Sequence, residues 1–505
     1  MIGYALAALT ALLHGATAWR YGYFRDELYF IACAKHLAWG YVDQPPLVAF
    51  AAWLAGPFGY SLVALRLLPV LSAGFTVYVA VLLARELGGK RFAQWLTGIA
   101  VGLMPAYLLL GNTLTTTSFE SLSWTLAIYA CVKIVRRAGD RWWIVLALSV
   151  AFGGYGKYSI ALLVVALAIG LLSTREQKAL WTPWLGASIA IALVLLLPNL
   201  WWQAAHGWPI FEVLQGDAAH RPTFQSGIAL EYHNLATNAL AFSLEQLLYT
   251  SPLAVPVWLL GLVAPFRMTA LRDDRFVAVA YVVLFAVATA LGAKGYYIVG
   301  IYASLLAVGA VALECAPAWI GTTAFALLTA FAIAMMPVSI PVLPIDGFIA
   351  YSKTLGLTGR DGTPARLIQP IYAEEFGWGR LAQDVASVYD ALPPDERAHA
   401  AIYADTYGDA GALDFFGPKY GLPPAISSQN TYYLWGPGSS DGSVMIAIGA
   451  SRIDLLKKYY RSVTLVRTST EPYKWIVEGP APIYLCREPV APLQDIWPSL
   501  RWYGA

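Results

Sequence analysis

About eleven apolar stretches, most near the ~20 residues a helix needs to cross a bilayer, crowd the first 340 residues of this chain. They lie near 2–19, 61–84, 92–110, 118–135, 142–156, 158–172, 181–201, 245–265, 276–292, 297–313 and 318–340. The fifth and sixth are short and are divided by "FGGYGKYS". Of the 505 residues, 58% are hydrophobic and 13% are charged, against roughly a quarter charged in a soluble domain. Mean hydropathy is +0.57. A soluble fold has no place for so much apolar surface, so the expected class is an α-helical polytopic membrane protein. The 19 Trp and 30 Tyr suit rings at a membrane interface. A net charge of +2 gives no bulk attraction for nucleic acid. Cys33, Cys131, Cys315 and Cys486 stand far apart without a CxxC pair, which argues against a disulfide framework. Ala16-Thr17-Ala18 resembles a cleavage site, but no Lys or Arg precedes the first apolar run, so it reads as an uncleaved first span.

Lys and Arg in short loops set orientation. The loops at 85–91, 133–141, 173–178 and 266–275 are basic and are expected on the cytoplasmic side. The alternate loops at 20–60, 111–117, 202–244 and 293–296 are then outer. Two of them exceed a simple turn. "DELYFIACAKHLAWG" has helical periodicity, with Leu28, Ile31, Ala32 and Leu37 apolar, and predicts a helix in the interface plane. "HGWPIFEVLQGDAAHRPTF" lies in the other.

Composition changes at "MMPVSIPVLP", so a first domain over 1–340 gives way to a second over 341–505. In the second, "LAQDVASVYDALP", "GALDFFGPKYG" and "SRIDLLKKYYRSV" read as helices. "HAAIYADTY", "SVMIAIG", "KWIVEG" and "PIYLCRE" read as strands, giving a small α/β layer fold. It has no phosphate-cradling glycine motif.

"YFRDELYF" sets Arg25, Asp26 and Glu27 side by side at an interface, where a carboxylate is costly unless partnered or functional. The plain alternative is an anchor for the first span. "GYVDQPPL" adds Asp43 and Gln44 before a Pro45-Pro46 turn, which should stop the helix and redirect the chain.

Together, "RDELYF…H…GYVDQPPL" resembles the first outer loop of bacterial family 39 glycosyltransferases of the GT-C class, related to protein O-mannosyltransferases and lipid A aminoarabinose transferases. "NTLTTTSFESLSW", "GKYS", "HGWPIFE", "KGYY" and the segment from "EEFGWGRLAQD" to "YGDAGALDFF" are similar to further family landmarks in the same order. Two departures stand out. Gln44 replaces a Lys that would contact donor phosphate, and the 112–120 corner has a Thr/Ser run and then Glu120 in place of an Asp.

The resemblance implies an enzyme that moves a hexosyl or pentosyl unit from a polyprenyl-phosphate carrier to an acceptor hydroxyl, with inversion. The acceptor would be a lipid, an envelope glycan or a protein. The setting would be a bacterial inner membrane, with the site and second domain facing outward. Such a reaction needs a base for the hydroxyl proton, donors for the departing phosphate and tight positioning. By residue-for-residue match Asp26 is the expected base, Glu27 and Asp43 the supporting acids, and Arg25 their partner. Arg25, Gln44, Glu120, Lys157, His206, Arg221, Lys294, Tyr296 and Tyr297 are the expected substrate contacts. For Lys294 the rival reading is a snorkelling anchor, and for the tyrosines an aromatic belt. No metal or other cofactor is expected. The alternative class is an ion-coupled transporter or lipid flippase, against which stand the clustering of acids in an outer loop and the lack of an inverted repeat.

Overall fold

The computed structural model describes residues 1–219, 235–357, 370–449, 453–473 and 480–504. The chain divides into two compact units, each discontinuous in sequence. Unit one takes in Met1–Trp19, Arg66–Trp201 and Pro222–Val342; unit two takes in Arg20–Leu65, Trp202–Arg221 and Leu343–Ala505.

Helices occupy all eleven apolar stretches, but fewer meet the length for a span. Among the described residues, five are long and apolar enough to cross a membrane, or up to seven if two bent pairs each count once. The bends are 58° between Arg91–Gly102 and Pro105–Asn112, and 110° between Leu235–Thr250 and Val255–Arg267. Pro105 and Pro252 mark the breaks, as expected where a ring removes a helical donor. Four others are short: Ile2–Thr17, Glu120–Val135 and Arg141–Gly156 have 16 residues each and Ile160–Leu172 has 13.

In unit one the Tyr302–Glu314 helix is buried along nearly its whole length. Its Ala, Gly and Ser positions let neighbouring helices approach closely. The basic loops gather at one end. Lys133 pairs with Glu86 at 2.9 Å and Arg136 with Asp274 at 3.0 Å. The loops carrying Glu120, Lys157 and Tyr296 gather with one another as a second group. Within unit one, the described loops thus fall into two groups, one around Glu86, Lys133, Arg136 and Asp274 and the other around Glu120, Lys157 and Tyr296.

Unit two contains a five-stranded sheet: β1 (Ala400–Ala404), β2 (Ala425–Ile426), β3 (Val444–Ile448), β4 (Tyr460–Ser469) and β5 (Ala481–Pro489). The order is β2-β1-β3-β5-β4. β1 runs parallel to β2 and β3, and β5 runs antiparallel to β3 and β4. β1 and β3 are buried throughout, which is why "AAIYA" and "VMIAI" lack polar alternation. The helix expected over "SRIDLLKKYYRSV" covers only Ile453–Tyr459. From Tyr460 the chain becomes β4, because Val463 and Thr464 pair with Cys486 and Leu485 of β5 and favour a pleated surface. The strand expected at "KWIVEG" lies outside the described residues.

The helix expected in the interface plane is Arg25–Lys35. Its residues Glu27 to Ala34 are all buried, so it is an internal element of unit two and not a half-immersed one. Leu37 falls beyond its end and is exposed.

Candidate functional site

The Arg25–Lys35 helix starts at Phe24, whose backbone N–H donates to Glu27 Oε2 at 2.9 Å. Glu27 is fully buried. This expected supporting acid therefore caps its own helix, where a negative charge is favoured by the exposed N–H groups.

Asp26 is placed differently. Its side chain is 27% exposed. Oδ1 accepts from Tyr407 Oη at 2.9 Å and lies 3.4 Å from Arg25 Nε. Oδ2 has no partner among the described residues. Arg25 also reaches Glu374 at 3.7 Å and lies over the Tyr407 ring, 5.4 Å from its centroid. Burial pushes the Tyr407 phenol well above its ordinary value; Arg25 pulls it down, and Asp26, Asp43 and Glu374 push it up. It is a donor to Asp26.

Asp43 mirrors this arrangement. Oδ1 accepts from Tyr29 Oη at 2.8 Å and Oδ2 from Asn430 Nδ2 at 3.2 Å. The Tyr29 and Tyr407 rings lie 4.7 Å apart. Desolvation raises Asp43 from its ordinary 3.8 to about 7. Asp26's charge adds to the rise, and the bonds from Tyr29, its own backbone and Asn430 oppose it. Burial is the leading cause of the rise, since a carboxylate taken out of water favours its neutral form.

Gln44 lies inside unit two. It is 2% exposed, and its amide Nε2 lies 3.6 Å from Cys33 Sγ. His206 is exposed, stacks on Trp202 at 4.0 Å and holds the Trp202 carbonyl at 2.8 Å. Arg221 lies outside the described residues.

Unit one collects the other expected residues. Lys157 Nζ is 3.6 Å from Glu120 Oε2, 3.2 Å from Thr117 Oγ1, and 4.7 and 4.4 Å from the ring centroids of Tyr296 and Tyr297. Ser159 donates to Glu120 Oε1. Glu120 thus serves as counter-ion to Lys157. Lys294 begins the next turn, which Glu245 and Gln246 clamp. Glu245 Oε2 accepts from Gly295 N at 2.7 Å and Gln246 Nε2 donates to the Gly295 carbonyl at 2.9 Å. A Cβ on Gly295 would fall 2.2 Å from Glu245 Oε2, so only glycine fits this clamp. The group thus holds two lysines, Lys157 and Lys294, and two carboxylates, Glu120 and Glu245.

Sequence reasoning did not single out Tyr29, Tyr407, Asn430, Glu374, Glu245 or Gln246. The available signal was "DTY" after β1 and "SSQNTYY" after β2: polar and aromatic residues at strand ends in an otherwise apolar sheet.

Residues 43–202 match the family model for dolichyl-phosphate-mannose-protein mannosyltransferases. Among curated proteins, the chain is 26% identical over 208 residues to the lipid A galacturonosyltransferase RgtD of Rhizobium johnstonii, covering 41% of this chain and 43% of that one. It is also 26% identical over 172 residues to the lipopolysaccharide core galacturonosyltransferase RgtB of the same organism, covering 34% and 35%. The matched part thus spans less than half the length of either relative. In fold, the chain is similar to ArnT from Cupriavidus metallidurans bound to undecaprenyl phosphate, with a TM-score of 0.61, 13% identity, and 95% and 97% of the two chains covered.

Proposed function

We propose that the protein transfers a sugar from a polyprenyl-phosphate carrier to a hydroxyl of an envelope glycolipid or glycan, at the outer face of a bacterial inner membrane and with inversion. The observation that carries this reading is the asymmetry of Asp26: Oδ1 is held by Tyr407 and Arg25, while Oδ2 is unpartnered among the described residues and the group is part-exposed. That is what a general base requires, an oriented carboxylate with one oxygen open to a substrate proton. The acceptor O–H gives its proton to Oδ2 as its oxygen bonds to the anomeric carbon. The bond from that carbon to the phosphate oxygen breaks, and its electron pair leaves with the lipid phosphate. Arg25 is the cation beside this base.

Lys157 and Lys294 of unit one are assigned to an anionic lipid headgroup, with Tyr296 and Tyr297 as their aromatic cage. The kinship to RgtD and RgtB supports lipid A or the lipopolysaccharide core as the acceptor and a uronic acid as the sugar. The likeness to an undecaprenyl-phosphate-bound fold supports the carrier. Mass spectrometry of envelope glycolipids from a deletion strain should show one missing sugar. The wild-type gene should restore it and Asp26→Asn should not. Full restoration by Asp26→Asn would sink the base assignment; an unchanged glycolipid profile in the deletion strain would sink the function.

A further inference from the structure

The parallel part of the sheet has the order β2-β1-β3, so the chain leaves β1 to one side for β2 and returns to its other side for β3. The carboxyl end of β1 is therefore a topological switch point, the place where open α/β sheets leave a crevice for a ligand. Here the crevice receives the first turn of the Arg25–Lys35 helix. Tyr407 follows β1 and starts the Tyr407–Phe416 helix, whose first turn is capped by Thr406 Oγ1 accepting from Asp409 N at 3.1 Å. Asn430 follows β2.

Both residues are fixed from several directions. A Cβ on Gly411 would lie 2.8–2.9 Å from the backbone of Leu28 and Tyr29, so glycine there lets the Tyr407–Phe416 helix lie directly on the Arg25–Lys35 helix. Asn430 is buried and has a left-handed φ of 49°. Its N–H donates to the Trp502 carbonyl at 2.9 Å and its Oδ1 accepts from Gly504 N at 3.0 Å, which leaves Nδ2 for Asp43. Thr431 adds two bonds: its Oγ1 accepts from Val42 N at 3.1 Å and its N–H donates to Tyr29 Oη at 3.3 Å. A non-glycine residue held at positive φ persists where its surroundings over-determine it.

We propose that the switch-point crevice of the sheet is one wall of the acid site, and that Tyr407 and Asn430 are positioning residues: Tyr407 aims Asp26 so that Oδ2 meets the acceptor hydroxyl, and Asn430 holds Asp43 beside it. This rests on the reading of Asp26 as base. The sheet is then part of the reacting apparatus, although it carries no nucleotide motif.

The test uses the full chain in proteoliposomes, with undecaprenyl-phosphate-linked galacturonic acid as donor and lipid A as acceptor. Tyr407→Phe keeps the ring against Tyr29 and removes only the hydroxyl. Its kcat should fall roughly 10- to 100-fold, the effect of one hydrogen bond to a charged group, with the donor KM unchanged. Asn430→Gly tolerates the left-handed backbone and should likewise lower kcat and spare KM. A Tyr407→Phe enzyme at wild-type rate, while Asp26→Asn is inactive, overturns the positioning role and leaves the base intact. An active Asp26→Asn overturns the base, and a wild-type protein inert with this pair overturns the transfer reading and the proposal with it. Thermal unfolding gives a readout independent of the sugar. The Tyr407→Phe and Asp26→Asn losses should be smaller together than their sum, and strictly additive losses would mean the bond is not made.

Discussion

Asp43 carries the pH sensitivity of the acid pair. Its raised value, about 7 against an ordinary 3.8, means that the fold holds a proton the unfolded chain releases. The stability this contributes is complete below the unfolded value and is lost as pH rises through about 7. Melting temperature should therefore fall between pH 5 and pH 8 more steeply in the wild type than in Asp43→Asn, as differential scanning fluorimetry at several pH values would show. The same ionisation sets a second negative charge beside Asp26, among Tyr29, Tyr407 and Asn430, and repels an anionic donor. Transfer should decline above about pH 7, and Asp43→Asn should flatten that limb of the kcat/KM profile. Glu27 has a different fate. Its bond to Phe24 N belongs to the helix start, so Glu27→Ala should cost about 1 kcal/mol or more from the lost cap alone. The readout is denaturant or thermal unfolding in detergent.

At the scale of elements, close approach decides the geometry. Gly411→Ala would drive a Cβ into the Leu28 backbone and wedge the Tyr407–Phe416 helix off the Arg25–Lys35 helix. A lowered melting temperature should accompany a loss of transfer larger than that of Tyr407→Phe, because the phenol and its support move together. The Gly295 turn behaves alike. Gly295→Ala would collide with Glu245 and displace Lys294, Tyr296 and Tyr297, so donor KM should rise in the transfer assay. Helix periodicity announced the Arg25–Lys35 helix, and strand composition announced β1 and β3. β4 was hidden, because "YYRSV" continues a helical pattern and turns into a strand only through its pairing with β5.

At the scale of the whole molecule, unit two is assembled from three separated pieces of chain. A fragment over 343–505 would lack the Arg25–Lys35 helix that covers Tyr407 and Gly411. It should aggregate or expose apolar surface when expressed alone, and co-expression with residues 1–342 should rescue it if the pieces can meet. Size-exclusion chromatography of the fragment would decide this; a monodisperse, stable 343–505 would contradict it.

Apolar run length and scarcity of charge determined by themselves that the chain is a helical membrane protein, since no tertiary arrangement hides that much apolar surface in water. Loop charge anticipated which loops of unit one gather, and motif order pointed to a family resemblance. The roles inside "YFRDELYF" came from elsewhere. One helical turn faces its residues in different directions, so Glu27 turns inward to the cap while Asp26 stays open. What Asp26 and Asp43 meet is set by residues some 380 positions away, Tyr407 for Asp26 and Asn430 for Asp43. Hydrogen bonds at that separation leave no periodicity or spacing in a single sequence; they exist only once the sheet's carboxyl end and the first loop are packed together.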